Sequence, residues 1–211
     1  MNKPLLAVFF WLNFERNNAM QLFGSDTSPY ARRLRLFIAH HALDIEYIHL
    51  DIFSETGRNK LIAHNPARKI PFLVDGAQQI SDSNVILRYL NAHFDLPTLT
   101  WWQENQLTNI NACNDSLVEL LICDRSGLDT QSDILFFNLQ RERIAKVLLN
   151  LNEQCVKADF LDCQYLQISL YCLLDWIVFR ELTDLTPFAD LLSFHKAQSQ
   201  RKGVKESDPR N

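Results

Sequence analysis

No cysteine precedes Cys113, and none of the 5 cysteines in this 211-residue chain forms a CxxC pair. The first half therefore carries no thiol nucleophile, and neither a disulfide framework nor a zinc site is encoded by spacing. Cys113, Cys123, Cys155, Cys163 and Cys172 read instead as buried free thiols of a reducing, cytoplasmic compartment. An excess of basic residues is also lacking, since the net charge is −4. That argues against a nucleic-acid binder, which is usually basic. No apolar run outside the N-terminus is long and uncharged enough to cross a bilayer. The longest, Tyr165 to Phe179, is too short and is interrupted by Asp175. The 6 histidines form no ligand-spaced pair, so no metal centre is expected. There are no repeats. What remains is 47% hydrophobic and 22% charged, the make-up of a globular chain with one large core or two small ones.

Residues 1–19 stand apart. Lys3 precedes an apolar stretch from Leu5 to Leu12, and polar residues follow through Asn18. The pattern is like a short signal peptide, but Asn17 occupies the place of the small residue expected before a cleavage site. A second methionine, Met20, opens the first strand pattern. The segment is expected to be a dispensable extension.

From Met20 onward the periodicities alternate. Met20 to Gly24 reads as a buried strand. Ser28 and Pro29 are a natural cap and first residue for a helix running to His41, with Leu34, Phe37 and Ile38 on its apolar face. Glu46 to Ile52 reads as a second strand, which makes a βαβ unit and implies parallel pairing. A short helix is expected between Phe53 and His64. Phe72 to Val74 and Gln78 to Ile80 are strands joined by the turn signal Asp75-Gly76. Ser81 to His93 is helical. The order is β-α-β-(α)-β-β-α, the thioredoxin-like arrangement. Beyond Asp95-Leu96-Pro97 every pattern is helical. Tyr165 to Phe179 is apolar nearly all round and reads as the centre of a bundle. A last helix is expected from Thr186-Pro187, and the polar segment after it is expected to fray.

Three motifs in this order resemble the glutathione S-transferase superfamily. The first is Ser28-Pro29-Tyr30-Ala31-Arg32-Arg33-Leu34-Arg35-Leu36, which is also a glutaredoxin-like C-P-Y-C with Ser28 and Ala31 in place of both cysteines. The second runs from Asn65-Pro66 to Pro71, and the third from Asp82-Ser83 to Tyr89-Leu90. The resemblance covers residues 20–94. Arg141 to Ile144 and Leu173 to Glu181 look like a bacterial, serine-type subgroup. Arg68 departs from the family's glycine, and Asp82 from its glutamate.

The resemblance implies an α/β thioredoxin-like glutathione-binding domain at 20–94, a linker at 95–100, an all-α helical bundle at 101–200 and a polar tail at 201–211. It implies a homodimer that binds glutathione as co-substrate and conjugates its thiolate to a small electrophile held between the two domains. Ser28 is the expected catalytic residue. Pro71 is expected to follow a cis peptide that frees the Ile70 backbone for the cysteinyl residue. Asp82 and Ser83 would hold the γ-glutamyl end, and Lys69 a glutathione carboxylate.

The magnitudes allow this. Lowering a thiol pKa from about 8.5 by ~2 units takes ~2.7 kcal/mol. A hydrogen bond to a charged group supplies about 1.5–3 kcal/mol, and a helix N-terminus adds ~0.3–1 kcal/mol. Ser28 offers both. It is not read as a covalent nucleophile, because the nearest downstream histidine, His40, lies roughly 18 Å along the same helix at ~1.5 Å per residue. Ser25 and Thr27 are the other hydroxyls in reach. Plainer readings stand beside each assignment: Ser-Pro as a helix start, Pro71 as a strand-start proline, Asp82-Ser83 as a cap, Lys69 as a solvated lysine. The competing function is a non-catalytic interaction protein on the same fold. Mixed-disulfide chemistry is disfavoured, since residues 20–94 hold no cysteine.

Overall fold

The computed structural model describes residues 20–211, and the extension 1–19 lies outside the described residues. The first seven elements are β1 (Met20–Gly24), α1 (Pro29–His41), β2 (Ile45–His49), α2 (Glu55–His64), β3 (Phe72–Asp75), β4 (Gln78–Ser81) and α3 (Ser83–His93). Five helices follow: α4 (Trp101–Arg125), α5 (Leu135–Gln154), α6 (Ala158–Leu161), α7 (Gln164–Arg180) and α8 (Ala189–Gln198).

The four strands form one mixed sheet in the order β2-β1-β3-β4. β2 runs parallel to β1, as the intervening α1 requires, and the β3–β4 hairpin is antiparallel. Side chains alternate across the sheet, so neighbouring residues serve different cores. Leu22 and Leu73 face the large cluster shared with α1, α3 and the helical bundle. Phe23 and Phe72 face the other way, into a smaller cluster with Leu50 and Leu61 beneath α2. Gly57 sits in the first turn of α2 because a Cβ there would lie 1.9 Å from the Asp51 carbonyl oxygen. In the bundle, every residue from Tyr165 to Ile177 of α7 is buried. That explains its apolar make-up on all sides.

Several boundaries differ from the sequence reading, three of them by two residues or more. β2 ends at His49, and α3 begins at Ser83 rather than Ser81. α8 begins at Ala189, because Thr186 is held in a turn by the Asp184 carboxylate and Phe188 N–H turns back to Leu185 C=O.

The larger correction concerns the chain after α8, which does not fray. It crosses α1 and α7 as a strap with Val204 and Ser207 buried. Gly203 takes φ +87° against α1, where a Cβ would stand 2.9 Å from the Ala39 Cβ. The Arg32 Nε donates to Ser207 Oγ at 3.2 Å and its Nη2 to the Val204 carbonyl at 3.3 Å. Arg35 Nη2 holds the Glu206 carbonyl at 3.2 Å, and Arg210 reaches Asp175 at 3.0 Å. The strap is fixed by arginines on backbone carbonyls, an attachment that leaves no apolar periodicity.

Candidate functional site

Three loops converge at one end of the sheet. β1 leads into the Gly24–Ser28 turn at its carboxyl end. β3 is antiparallel to β1 with Phe72 opposite Phe23, so the Ile70-Pro71 bend enters at that same end. β4 is antiparallel to β3 with Ser81 opposite Phe72, so Asp82 and Ser83 leave there too. The strand order thus gathers the candidate residues of all three motifs except Lys69, whose side chain is exposed to solvent.

Ser28 caps α1. Its Oγ accepts the Ala31 N–H at 3.2 Å, and Pro29 fills the first helical position. A hydroxyl that accepts in this way keeps its own hydrogen for another acceptor. Ser25 and Thr27 are less free, because their hydroxyls bond each other at 3.3 Å. The floor beneath Ser28 is a tight crevice reached by Thr27, Arg32, Cys172, Trp176 and, from the strap, Pro209. Burial pushes the Cys172 thiol up to about 11, against the pull of Arg32 and Arg33, so it remains a neutral thiol.

The Ile70-Pro71 peptide is cis. Ile70 lies outside the ladder, which begins at Phe72. The loop before it is built by Asn65, 2% exposed, whose Nδ2 donates to the Lys69 carbonyl at 2.7 Å and whose Oδ1 accepts the Ala67 N–H at 3.0 Å. Arg68, standing where the resemblance expects glycine, takes φ +55°. That glycine is therefore a backbone requirement of the loop, met here by a residue that bears the strain.

Asp82 is the N-cap of α3. Its carboxylate accepts the Asn84 and Val85 N–H groups at 2.8 and 3.2 Å, and its backbone takes φ +74°. The plain capping role is thus filled by Asp82, and the backbone around Ser83 is what faces the loop convergence. Ser83 itself is buried.

Tyr47 and Asp115, two supporting residues, were not singled out from the sequence. Tyr47 donates to the Gly24 carbonyl at 2.9 Å and holds the end of β1. Arg35 stacks on its ring at 4.1 Å and bonds Asp26 at 2.8 Å, fixing the turn that carries Ser28. On the flank facing the helical domain, Tyr30 of α1 donates to Asp115 of α4. Burial first, and then that hydrogen bond, push the Tyr30 pKa above the usual phenol range, so it stays a neutral donor. Arg35 and Asp26 are 9 positions apart, but the Tyr47–Gly24 and Tyr30–Asp115 pairings join residues 23 and 85 positions apart. No local motif announces them.

Residues 22–98 match the family model for the glutathione S-transferase N-terminal domain. Among curated proteins, a probable maleylacetoacetate isomerase of Caenorhabditis elegans is 44% identical over 85 residues, 39% of this chain and 39% of that protein. Glutathione S-transferase U6 of Arabidopsis thaliana is 32% identical over 77 residues, 36% of this chain and 34% of that one. The chain thus matches these relatives over less than half their length. Solved structures extend the likeness to both domains. A glutathione S-transferase of Methylobacillus flagellatus KT, solved with glutathione bound, superposes with a TM-score of 0.77 at 21% identity, over 90% of this chain and 98% of that one. The chain has the same fold as that solved glutathione S-transferase. Another such protein, from Methylobacterium radiotolerans in complex with glutathione sulfonate, gives a TM-score of 0.76 at 20% identity, over 90% of this chain and 94% of that one. The sheet domain carries the sequence likeness to glutathione S-transferases, while the helical domain resembles them in fold alone.

Proposed function

We propose that this protein is a serine-type glutathione transferase that binds glutathione and conjugates its thiolate to a small electrophile. The observation that carries the reading is the convergence of the Ser28 hydroxyl, the Ile70-Pro71 bend and the start of α3 at one end of a sheet, in a domain matched to the glutathione S-transferase N-terminal domain. Ser28 supplies a hydroxyl proton and the positive end of α1 to the thiolate. The Ile70 backbone pairs with the cysteinyl residue. The first turn of α3 receives the γ-glutamyl carboxylate, as helix N-termini receive anions. Lys69, exposed beside the bend, reaches a second carboxylate.

The protein works in the cytoplasm as a homodimer. Free cysteines support the first statement. Closed two-fold assembly is the commonest arrangement of soluble chains and supports the second, with Trp101, 87% exposed, as a candidate contact residue. The test of the function is retention on glutathione-agarose followed by turnover on a broad electrophile panel. Retention with conjugation supports the reading. Retention without turnover supports the non-catalytic interaction protein, and no retention overturns the glutathione reading.

A further inference from the structure

The turn that carries Ser28 has no large apolar side chain to bury. Ser25, Asp26, Thr27 and Ser28 are all polar and half-buried, and a segment with few buried apolar contacts depends on its polar ties. Within the turn those ties are the Ser28 N–H on the Ser25 carbonyl at 3.0 Å and the Ser25–Thr27 hydroxyl pair at 3.3 Å. The stronger ties come from outside. His49 Nδ1 of β2 stands 2.6 Å from one oxygen of Asp26, and Arg35 Nη1 donates to the other at 2.8 Å.

From Arg35 the ties lead to the strap. The same guanidinium donates its Nη2 to the Glu206 carbonyl at 3.2 Å, so one side chain joins the Ser28 turn to the strap. Arg32 does so a second time. Its backbone N–H donates to the Ser28 carbonyl at 3.0 Å, while its buried guanidinium holds Ser207 Oγ and the Val204 carbonyl. Pro209 makes a third junction, since its ring reaches the crevice under Ser28, whose other walls include Trp176 and Cys172 of α7. That crevice leaves no room for a water molecule. Arg210, next in the chain, is anchored on Asp175 of α7 at 3.0 Å. The Asp175 anchor alone would fasten the strap to the helical bundle. The bonds to Arg35 and Arg32 and the insertion of Pro209 are made to the site instead.

We propose that the strap is a positioning element of the catalytic site, in which Ser207, Pro209 and Arg210 fix the Gly24–Ser28 turn and hold the Ser28 hydroxyl at hydrogen-bond distance from the glutathione thiolate. This rests on the glutathione reading above and deepens it. The three residues act through Ser28 and not on the ligand. A hydrogen bond weakens steeply as its geometry departs from linear, and a displacement of about 1 Å at a reacting group lowers a rate by up to roughly 100-fold. Pro209 adds a second effect: with the crevice filled, no water competes from below for the Ser28 hydrogen. The strap's hydrogen bonds run to α1, α7 and the end of α8, away from the Ile70-Pro71 bend and the start of α3. Loosening it should therefore change the thiolate and leave the grip on the rest of glutathione.

The test uses two variants of the whole chain. Ser207→Ala combined with Arg210→Gln cuts the strap's side-chain ties to Arg32 and Asp175. Pro209→Gly keeps every polar tie and takes the ring out of the crevice, and it serves as the test if the first variant does not fold. The pKa of bound glutathione is read from thiolate absorbance, and turnover and the KM for glutathione are followed across pH. Each variant should raise the bound-thiol pKa by about 1 unit, a tenfold loss of thiolate on the acid side. Turnover should fall about tenfold on that side and recover by about pH 9, with the KM for glutathione changed less than about twofold. In a Ser28→Ala background the same changes should raise the thiol pKa no further, because the hydroxyl they act through is gone. A loss of turnover equal at every pH, as a merely destabilised fold gives, would overturn the proposal while leaving glutathione binding intact. So would an unchanged thiol pKa, or a rise that persists without the Ser28 hydroxyl. Wild-type protein that binds no glutathione would overturn the glutathione reading, and the proposal with it.

Discussion

Replacing Asp175 by asparagine should destabilise this protein more than almost any other single polar change. Asp175 is 5% exposed in the middle of α7 and collects three basic groups. Arg32 of α1 pairs with it, His195 of α8 lies at 3.0 Å and Arg210 of the strap at 3.0 Å. Burial acts to raise the Asp175 pKa. Hydrogen bonds from His195, Arg210 and Arg32 overcome it and hold the carboxyl well below the usual carboxylate range. The amide keeps the shape and removes the charge, leaving Arg32 buried and unpaired. Breaking a buried pair in this way costs about 3–5 kcal/mol, a large share of a typical total of about 5–15 kcal/mol. The pH dependence has a definite sign. A depressed folded pKa stabilises the fold above the unfolded value of about 3.9, and that stability is lost as pH falls through the folded value. Wild-type stability should therefore fall below about pH 4, and Asp175→Asn should show a flatter acid limb. Urea unfolding at pH 7 and along an acid series measures both. A loss under about 1 kcal/mol at pH 7, or unchanged acid limbs, would refute the reasoning.

Two further outcomes are expected. Arg68→Gly should stabilise the protein by roughly 0.5–1 kcal/mol in the same unfolding assay, because the left-handed cost of about 1–2 kcal/mol exceeds the added chain entropy of glycine. Light scattering at micromolar concentration should give the mass of a dimer, and Trp101→Glu should shift it toward the monomer.

The sheet domain was legible in the sequence because its signals are local. Ser28-Pro29 marked the start of α1, Asp75-Gly76 the hairpin, and the order of elements along the chain followed from the alternation of short apolar runs and helical patterns. Gly76 takes φ +56°, as that turn requires. Asp175 was visible as the charge that interrupts an apolar run, and its partners satisfy it. The strap was not legible. Its attachment depends on Arg32 and Arg35 reaching carbonyls more than 170 positions away, which no periodicity records. The same holds for Tyr165 and Ser83, which are 82 positions apart. The departure at Arg68 was visible as a residue, but its meaning came only with the positive φ. The roles of Ser28, Ile70, Asp82 and Ser83 toward a ligand still rest on resemblance and on the shared end of the sheet.

The central claim is that the Ser28 hydroxyl stabilises a glutathione thiolate, and the pKa of the bound thiol tests it most directly. Thiolate absorbance is followed against pH for glutathione bound to wild type and to Ser28→Ala, with melting temperatures measured alongside, since losing the α1 cap alone costs about 1 kcal/mol. A hydrogen bond to the thiolate worth about 1.5–3 kcal/mol corresponds to a rise of about 1–2 pKa units in the variant. The account predicts that rise, with a matching fall in turnover at neutral pH and little change in glutathione affinity. An unchanged bound-thiol pKa with full conjugation activity would contradict it.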